Sequence, residues 1–161
     1  MSQSTPRSIV KYSFFAILFL LFLSCELKPD KMPQNIMYQL EAFKKKDKFL
    51  KEANFTYPGI STPELRTVLE TKINMAADDF REAANSNAPN EELYQVKIGV
   101  ALKRFEDVYL ETDTEDRERI CTYFEELMDI FGLKSSNGQL NEFMYGFDPT
   151  ELIHGSKPTE K

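Results

Sequence analysis

Hydrophobic side chains recur at every third or fourth position over most of this chain, which is the spacing of one face of an α-helix. No segment alternates between apolar and polar residues in the manner of a β-strand. Capping residues and helix-ending glycine, asparagine or proline divide the pattern into separate elements. The pattern predicts five helices, at about residues 35–53, 61–85, 90–110, 112–131 and 138–145.

Short sequence motifs mark the boundaries of several of these helices. Two pairs have capping-box spacing, in which the first side chain accepts from the later amide and the later side chain reaches back: Ser61 with Glu64, and Thr112 with Glu115. Two glycine–hydrophobe pairs predict left-handed helix endings: Gly132-Leu133 and Gly146-Phe147.

The spacing of the helices indicates how they pack. The third predicted helix is apolar around much of its surface, which is typical of a central helix. Short connections favour antiparallel neighbours. We therefore predict an all-α domain, a single four- to five-helix bundle over residues 35–148, followed by a polar tail at 149–161.

The amino terminus has the pattern of an export signal. Residues 14–23 form an unbroken apolar run after Arg7 and Lys11, and ten residues are too few to span a bilayer. The run ends at Ser24-Cys25, an arrangement in which the cysteine accepts a diacylglyceryl group and a peptidase then cuts before it. We predict a lipoprotein signal peptide at 1–24 and lipidation of Cys25. Phe22 departs from the commonest pattern, which has an aliphatic residue three positions before the cysteine. Ordinary secretion and an uncleaved anchor over residues 9–23 are the alternatives.

Residues 25–34 (CELKPDKMPQ) form a predicted tether between the anchor and the domain. Such a tether reaches at most about 30 Å, so the domain stays close to its membrane. We expect a lipid-anchored protein of the bacterial cell envelope. The sequence does not decide between the inner and the outer membrane. Five lysines give the first predicted helix a basic side, which either contacts anionic headgroups or is a solvated face: Lys44, Lys45, Lys46, Lys48 and Lys51.

The net charge and the two cysteines limit which partners and ligands are expected. Removing residues 1–24 leaves 18 basic and 26 acidic residues, a formal charge of −8. This acidity disfavours nucleic acid as a partner. If Cys25 carries lipid, Cys121 has no partner within the chain, and a buried thiol is the expected role rather than a reactive one. His154 has no second ligand at zinc spacing, so we expect neither a metal nor a cofactor.

Carboxylates are the abundant candidate catalytic groups in this sequence. Asp78, Asp79 and Glu82 are close in sequence, as are Glu125 and Glu126. Adjacent helical positions point about 100° apart, so neither group forms an acid–base site by itself, and a solvated face is the favoured interpretation. An enzyme using Asp78, Asp79 or Glu125 would need two of them to converge in a cleft.

The segment at 113–149 contains two capped helices, a glycine-containing connection and an aromatic cluster. It resembles the signature region of an uncharacterised helical domain family found in small bacterial proteins, some of them lipoproteins. The resemblance extends over about residues 55–148 and implies a fold boundary without an activity. Glu142, Tyr145 and Asp148 are polar groups beside an apolar cluster and form the predicted binding surface.

These observations predict a membrane-tethered module that binds or inhibits another envelope protein and is not an enzyme. A carrier of a lipid or small apolar ligand between the helices is the alternative. A carboxylate-based enzyme is the third hypothesis.

Overall fold

A computed structural model describes residues 32–53, 57–60 and 62–146. This part of the chain is helical and contains no strand, which confirms the predicted all-α bundle. Cys25, Asp148 and the segments 1–24 and 149–161 lie outside the described residues. The elements are α1 (Gln34–Lys45), α2 (Pro63–Ala84), α3 (Glu91–Lys103), the 3-10 helix η1 (Glu106–Glu111), α4 (Thr114–Ile130) and α5 (Gln139–Tyr145). None of the described helices is both long and apolar enough to cross a bilayer.

Helices α2 and α4 form the centre of the bundle. Their inward side chains supply most of the fully buried apolar core: Leu69, Ile73, Ala76, Ala77, Phe80, Ala83, Ile120, Phe124 and Leu127. Helix α1 packs against both of them on one side, whereas α3 contacts α2 and α5 contacts α4 on the other. The prediction that the third helix is central is therefore wrong, and its extra apolar residues Val96 and Val100 are exposed.

The third predicted helix also ends early. Helix α3 stops at Lys103, and i→i+3 hydrogen bonds such as Val108 N–H to Phe105 O (3.1 Å) continue the chain as η1. Lys72 of α2 explains the change, because its ammonium donates to Arg104 O at 2.7 Å and pairs with Asp107 at 2.9 Å. Lys72 thus donates a hydrogen bond to a carbonyl that would accept from a backbone N–H if the α-helix continued.

The first helix ends at Lys45, eight residues before its predicted end, because Lys48 folds back over it. Lys48 is completely buried, and its ammonium donates to Phe43 O at 2.8 Å, Lys46 O at 3.1 Å and Lys44 O at 3.3 Å. The ammonium finds acceptors there because helix C-termini carry unsatisfied carbonyls and partial negative charge.

The predicted basic side of the first helix does not form. Lys44 pairs with Asp78 of α2 at 2.7 Å, and Lys46 pairs with Glu126 of α4. Lys48 is buried, so three of the five lysines make contacts within the domain. The chain after Lys45 is no longer helical. The lysines therefore do not form a single basic face of one helix.

Residues 46–53 and 57–60, which we call the strap, cross α4 instead of continuing α1. The Phe49 N–H donates to Tyr123 Oη at 2.8 Å, and Tyr57 Oη donates to Asp116 Oδ1 at 2.8 Å. Arg119 lies over the Tyr57 ring, 4.7 Å from its centroid. Burial, with the Asp116 hydrogen bond, raises the pKa of Tyr57 well above its ordinary value. The strap is thus fixed to successive turns of α4.

Gly59 allows the strap to turn. Its φ is +82°, and a Cβ there would lie 2.8 Å from the backbone nitrogen of Lys51. We expect Gly59→Ala to lower the free energy of unfolding by about 2–4 kcal/mol, from strain plus a backbone clash. Gly132→Ala is the matched control, because φ is +72° but no atom lies within 4 Å; it should cost about 1 kcal/mol. Urea unfolding of both variants checks this, and equal losses would mean that the clash relaxes.

Both predicted N-caps are displaced by one residue, and of the two predicted capping boxes only the one at α4 forms. Thr62 caps α2 by accepting from the Leu65 N–H at 3.3 Å, with Pro63 in the first helical position, and Ser61 lies outside the described residues. Asp113 caps α4, accepting from the Asp116 N–H at 2.9 Å, while Asp116 accepts in return from the Asp113 N–H at 3.3 Å. Each shift has a reason: proline suits the first turn, and aspartate is a stronger cap than threonine.

The glycine endings agree with the sequence. At the end of α4 the Leu133 N–H donates to Met128 O at 2.9 Å and the Gly132 N–H to Asp129 O at 3.1 Å, which confirms the Schellman motif. Gly146 ends α5 with φ +77°. Its predicted hydrophobic companion, Phe147, lies outside the described residues.

Candidate functional site

An elongated depression runs between α4 and α5. One part, about 750 Å³, lies where α4 ends and the chain turns into α5; the adjoining part, about 210 Å³, continues toward the end of α5. The two share Glu125, Leu140 and Asn141, so we treat them as one open α4–α5 groove. Polar residues of 134–138 line one end, and Met144 and Tyr145 line the other.

Carboxylates line the α4 side of this groove. Glu118, Glu125 and Asp129 follow helical spacing on one exposed face of α4. None of the three forms an ion pair with another described residue within 4 Å. Their charges therefore face solvent along the groove, and Lys134 is the cation among its lining residues.

Cys121 lies in the floor of the groove. It is a free, half-buried cysteine whose thiol lies 3.7 Å from Leu140 O. Burial raises the pKa of the thiol to about 12, and the nearby Glu125 and Glu118 carboxylates act in the same direction. Cys121 is therefore a neutral packing group at physiological pH rather than a nucleophile.

This environment predicts slow alkylation of Cys121. Relative to an ordinary thiol of pKa 9.0, its thiolate fraction at pH 7.5 is lower by on the order of a thousandfold. Iodoacetamide labelling of the native chain, followed by peptide mass spectrometry, should show almost no modification at Cys121 while the same chain in urea reacts fully. Fast native labelling would contradict the burial of this thiol.

The structure places the predicted surface residues on α5. Tyr145 is exposed and lines the end of the α4–α5 groove. Glu142 lies on another side of the helix, where it lines a separate depression of about 360 Å³ with Lys103 and Phe143. Asp148 lies outside the described residues. Glu142 and Tyr145 therefore border two neighbouring depressions.

The acidic candidates on α2 are held in ion pairs instead. Asp78 pairs with Lys44 and Arg81, and Asp79 forms a two-pronged contact with Arg104. Because Asp79 is only 13% exposed, the solvated-face interpretation is wrong for it. Neither aspartate converges with Glu125, which lies on α4 in the groove. These carboxylates join α2 to its neighbours.

A third depression, missed by sequence reasoning, lies between α1 and α4. It measures about 400 Å³, and its apolar lining includes Tyr38, Ala42, Phe43 and Ile130. The signal that could have indicated it is residues 32–40 (MPQNIMYQL), which contain no charged side chain. The α4–α5 groove and the depression between α1 and α4 are open, unlike the enclosed apolar cavity expected of a carrier. Among the described residues, no three histidine, cysteine or acidic side chains are grouped as a metal site requires.

Comparison with known proteins places the bundle in an uncharacterised family. The crystal structure of a DUF3571 family protein from Acinetobacter baumannii AYE at 1.95 Å matches with a TM-score of 0.63 and 32% sequence identity, over 73% of this chain and 94% of that one. No curated protein matches the chain. The family described as a domain of unknown function (DUF4844) matches residues 31–148, which include every described helix. The chain belongs to this DUF4844 family, as the sequence resemblance to an uncharacterised helical domain predicted.

Proposed function

We propose that this protein is a lipid-anchored component of the bacterial cell envelope whose bundle binds another envelope protein through the α4–α5 groove. The export signal that ends at Cys25 supports the anchor. The observation that carries the binding role is the groove itself, an open depression along two helices with outward carboxylates and an exposed tyrosine. The domain acts by binding its partner and needs no catalytic group of its own.

The distribution of charge supports a binding role for this face. Some acids elsewhere on the bundle neutralise cations within the fold, as Asp79 does for Arg104 and Glu82 does for Lys97. Glu118, Glu125 and Asp129 have no such partner among the described residues. Complementary charge speeds encounter and selects the partner, so the groove favours a segment rich in lysine or arginine.

The shape of the groove supports a peptide or helix as its occupant. Apolar floor residues Met128 and Leu140 lie between polar walls, which is the arrangement of an interface centre within a polar rim. Tyr145, 58% exposed, supplies a large aromatic surface of the kind enriched at interface centres.

Photo-crosslinking in intact cells tests the proposal. Benzoylphenylalanine replaces Tyr145 in the full-length chain, and the control variant carries it at Met75, which is exposed on α2 and outside the groove. We expect one discrete adduct from position 145 and none from position 75. The adduct should weaken at least about tenfold with Glu125→Lys, because a repulsive charge then faces a cationic segment.

Glu92→Lys is the matched charge control, because Glu92 is exposed at the start of α3 and lies outside the groove. It should leave the adduct unchanged. Loss of the adduct with both charge variants, or identical adducts from positions 145 and 75, would refute the groove as the binding site.

A further inference from the structure

We infer that the end of the bundle nearest the anchor, including the first turns of α1, lies against the lipid bilayer that holds Cys25. This inference rests on the proposed anchor. It assigns the exposed apolar residues of α1 to the membrane interface rather than to a protein.

The length of chain before the domain limits where the bundle can lie. Seven residue steps separate Cys25 from Met32, the first described residue, and they span at most about 25 Å when fully extended. Helix α1 begins two residues later and is about 18 Å long. The first turns of α1 are therefore the part of the described domain held closest to the membrane.

Helix directions identify what else lies at that end. Lys44 and Glu41 of α1 pair with Asp78 and Arg81 of α2, so the start of α1 lies beside the end of α2. The Tyr38–Ile130 depression likewise places the start of α1 beside the end of α4. The anchored end therefore comprises residues 32–40, 85–90 and 131–138.

Charge differs sharply between the two ends of the bundle. Residues 32–40 and 85–90 contain no charged side chain, residues 131–138 contain only Lys134, and the exposed Glu91 and Glu92 follow in the first turn of α3. The opposite end, residues 104–116, contains one arginine and six acidic residues. Burying charge in a bilayer interface is costly, whereas uncharged polar and apolar groups are tolerated there. The anchored end is thus the one that suits contact with lipid.

Two exposed side chains supply the apolar contact. Tyr38 is 77% exposed and Met37 44%, in neighbouring positions on α1. Tyrosine favours the membrane interface because its ring is apolar and its hydroxyl stays hydrated. Asp129 and the ion-paired Lys46 and Glu126 also line the depression between α1 and α4, and Lys45 is the exposed cation of α1. With so little net charge, the contact should depend on apolar insertion and not on anionic lipid.

A single-tryptophan reporter tests this contact, because the native sequence has no tryptophan. Full-length, acylated Tyr38→Trp protein is reconstituted in phosphatidylcholine vesicles with and without lipid brominated near the headgroup. Leu110→Trp is the control, at a 98% exposed position in η1 at the opposite end. We expect bromine to quench the indole at position 38 by about half or more and the indole at position 110 by under about a tenth.

Further measurements distinguish apolar insertion from electrostatic binding to lipid and from contact with protein. Quenching at position 38 should stay unchanged when about a third of the lipid is phosphatidylglycerol or when salt screens surface charge. An unquenched indole at position 38 of acylated protein would overturn the inference while leaving the anchor standing. Blue-shifted but unquenched emission would also overturn it, because a protein surface would then cover α1. A Cys25 without acyl chains would remove the proposed anchor and this inference together.

Discussion

We expect Lys48→Met to lower the free energy of unfolding by about 3 kcal/mol. Methionine fills a similar volume but donates no hydrogen bond. The carbonyls of Phe43, Lys44 and Lys46 would then be left without the ammonium that now bonds to them. The contact of the ammonium with the Phe43 ring, 4.9 Å from its centroid, would also disappear.

The matched control is Lys45→Met, which removes the same charge from an exposed position on α1. Surface substitutions of this kind change stability by under about 0.5 kcal/mol. Chemical denaturation of the two variants beside the native chain gives the comparison. Equal stability of both variants would show that the buried lysine does not hold the end of α1.

The same lysine should leave a signature in the pH dependence of stability. Burial lowers the pKa of Lys48 below its ordinary 10.5; Lys46 adds to this effect, and Glu70, Glu126 and Asp47 oppose it. Between the lowered value and 10.5 the unfolded chain binds more protons, so the Lys48 contribution to stability rises with pH. Tyr57 and Tyr123 have raised pKa values and act in the opposite direction above about pH 10. The measured quantity is therefore the stability difference between the native chain and Lys48→Met, which should widen with pH in that window.

The second large effect concerns the anchor. We expect Cys25→Ala to abolish incorporation of radiolabelled fatty acid and to leave residues 1–24 attached. A thiol is required to accept the diacylglyceryl group, and the peptidase of this pathway cuts only after that step. Gel mobility and labelling of the expressed chain give both readouts.

Cys121→Ala is the control, since it removes the other cysteine and should preserve both labelling and processing. Normal cleavage of Cys25→Ala would indicate ordinary secretion instead. An unlabelled native chain that keeps residues 9–23 would indicate an uncleaved anchor.

Much of the fold follows from the spacing of apolar residues. The apolar spacing over residues 61–85 predicted α2, whose buried residues run from Leu65 to Ala83, and Gly132-Leu133 predicted the end of α4. The errors arise where distant side chains compete with local preference. The lysine-rich pattern after Lys45 looks helical, yet burial of Lys48 and attachment of the strap to Tyr123 end the helix.

The candidate site depends on contacts that sequence does not reveal. Tyr145 and Glu142 were predicted as polar groups beside an apolar cluster, but the groove that Tyr145 lines exists only because α4 lies beside α5. The carboxylates of α2 and α4 look alike in sequence. Only packing separates Asp79, held by Arg104, from Glu125, which faces the groove. The charge-free residues 32–40 are visible in the sequence, and their meaning depends on which helix ends surround them.

The mass of the intact protein purified from membranes tests the central claim, that Cys25 tethers this bundle to a bilayer. The account predicts a chain that begins at Cys25 and carries a diacylglyceryl group on that cysteine. A chain that begins at another residue, or that begins at Cys25 with a free thiol, would contradict it.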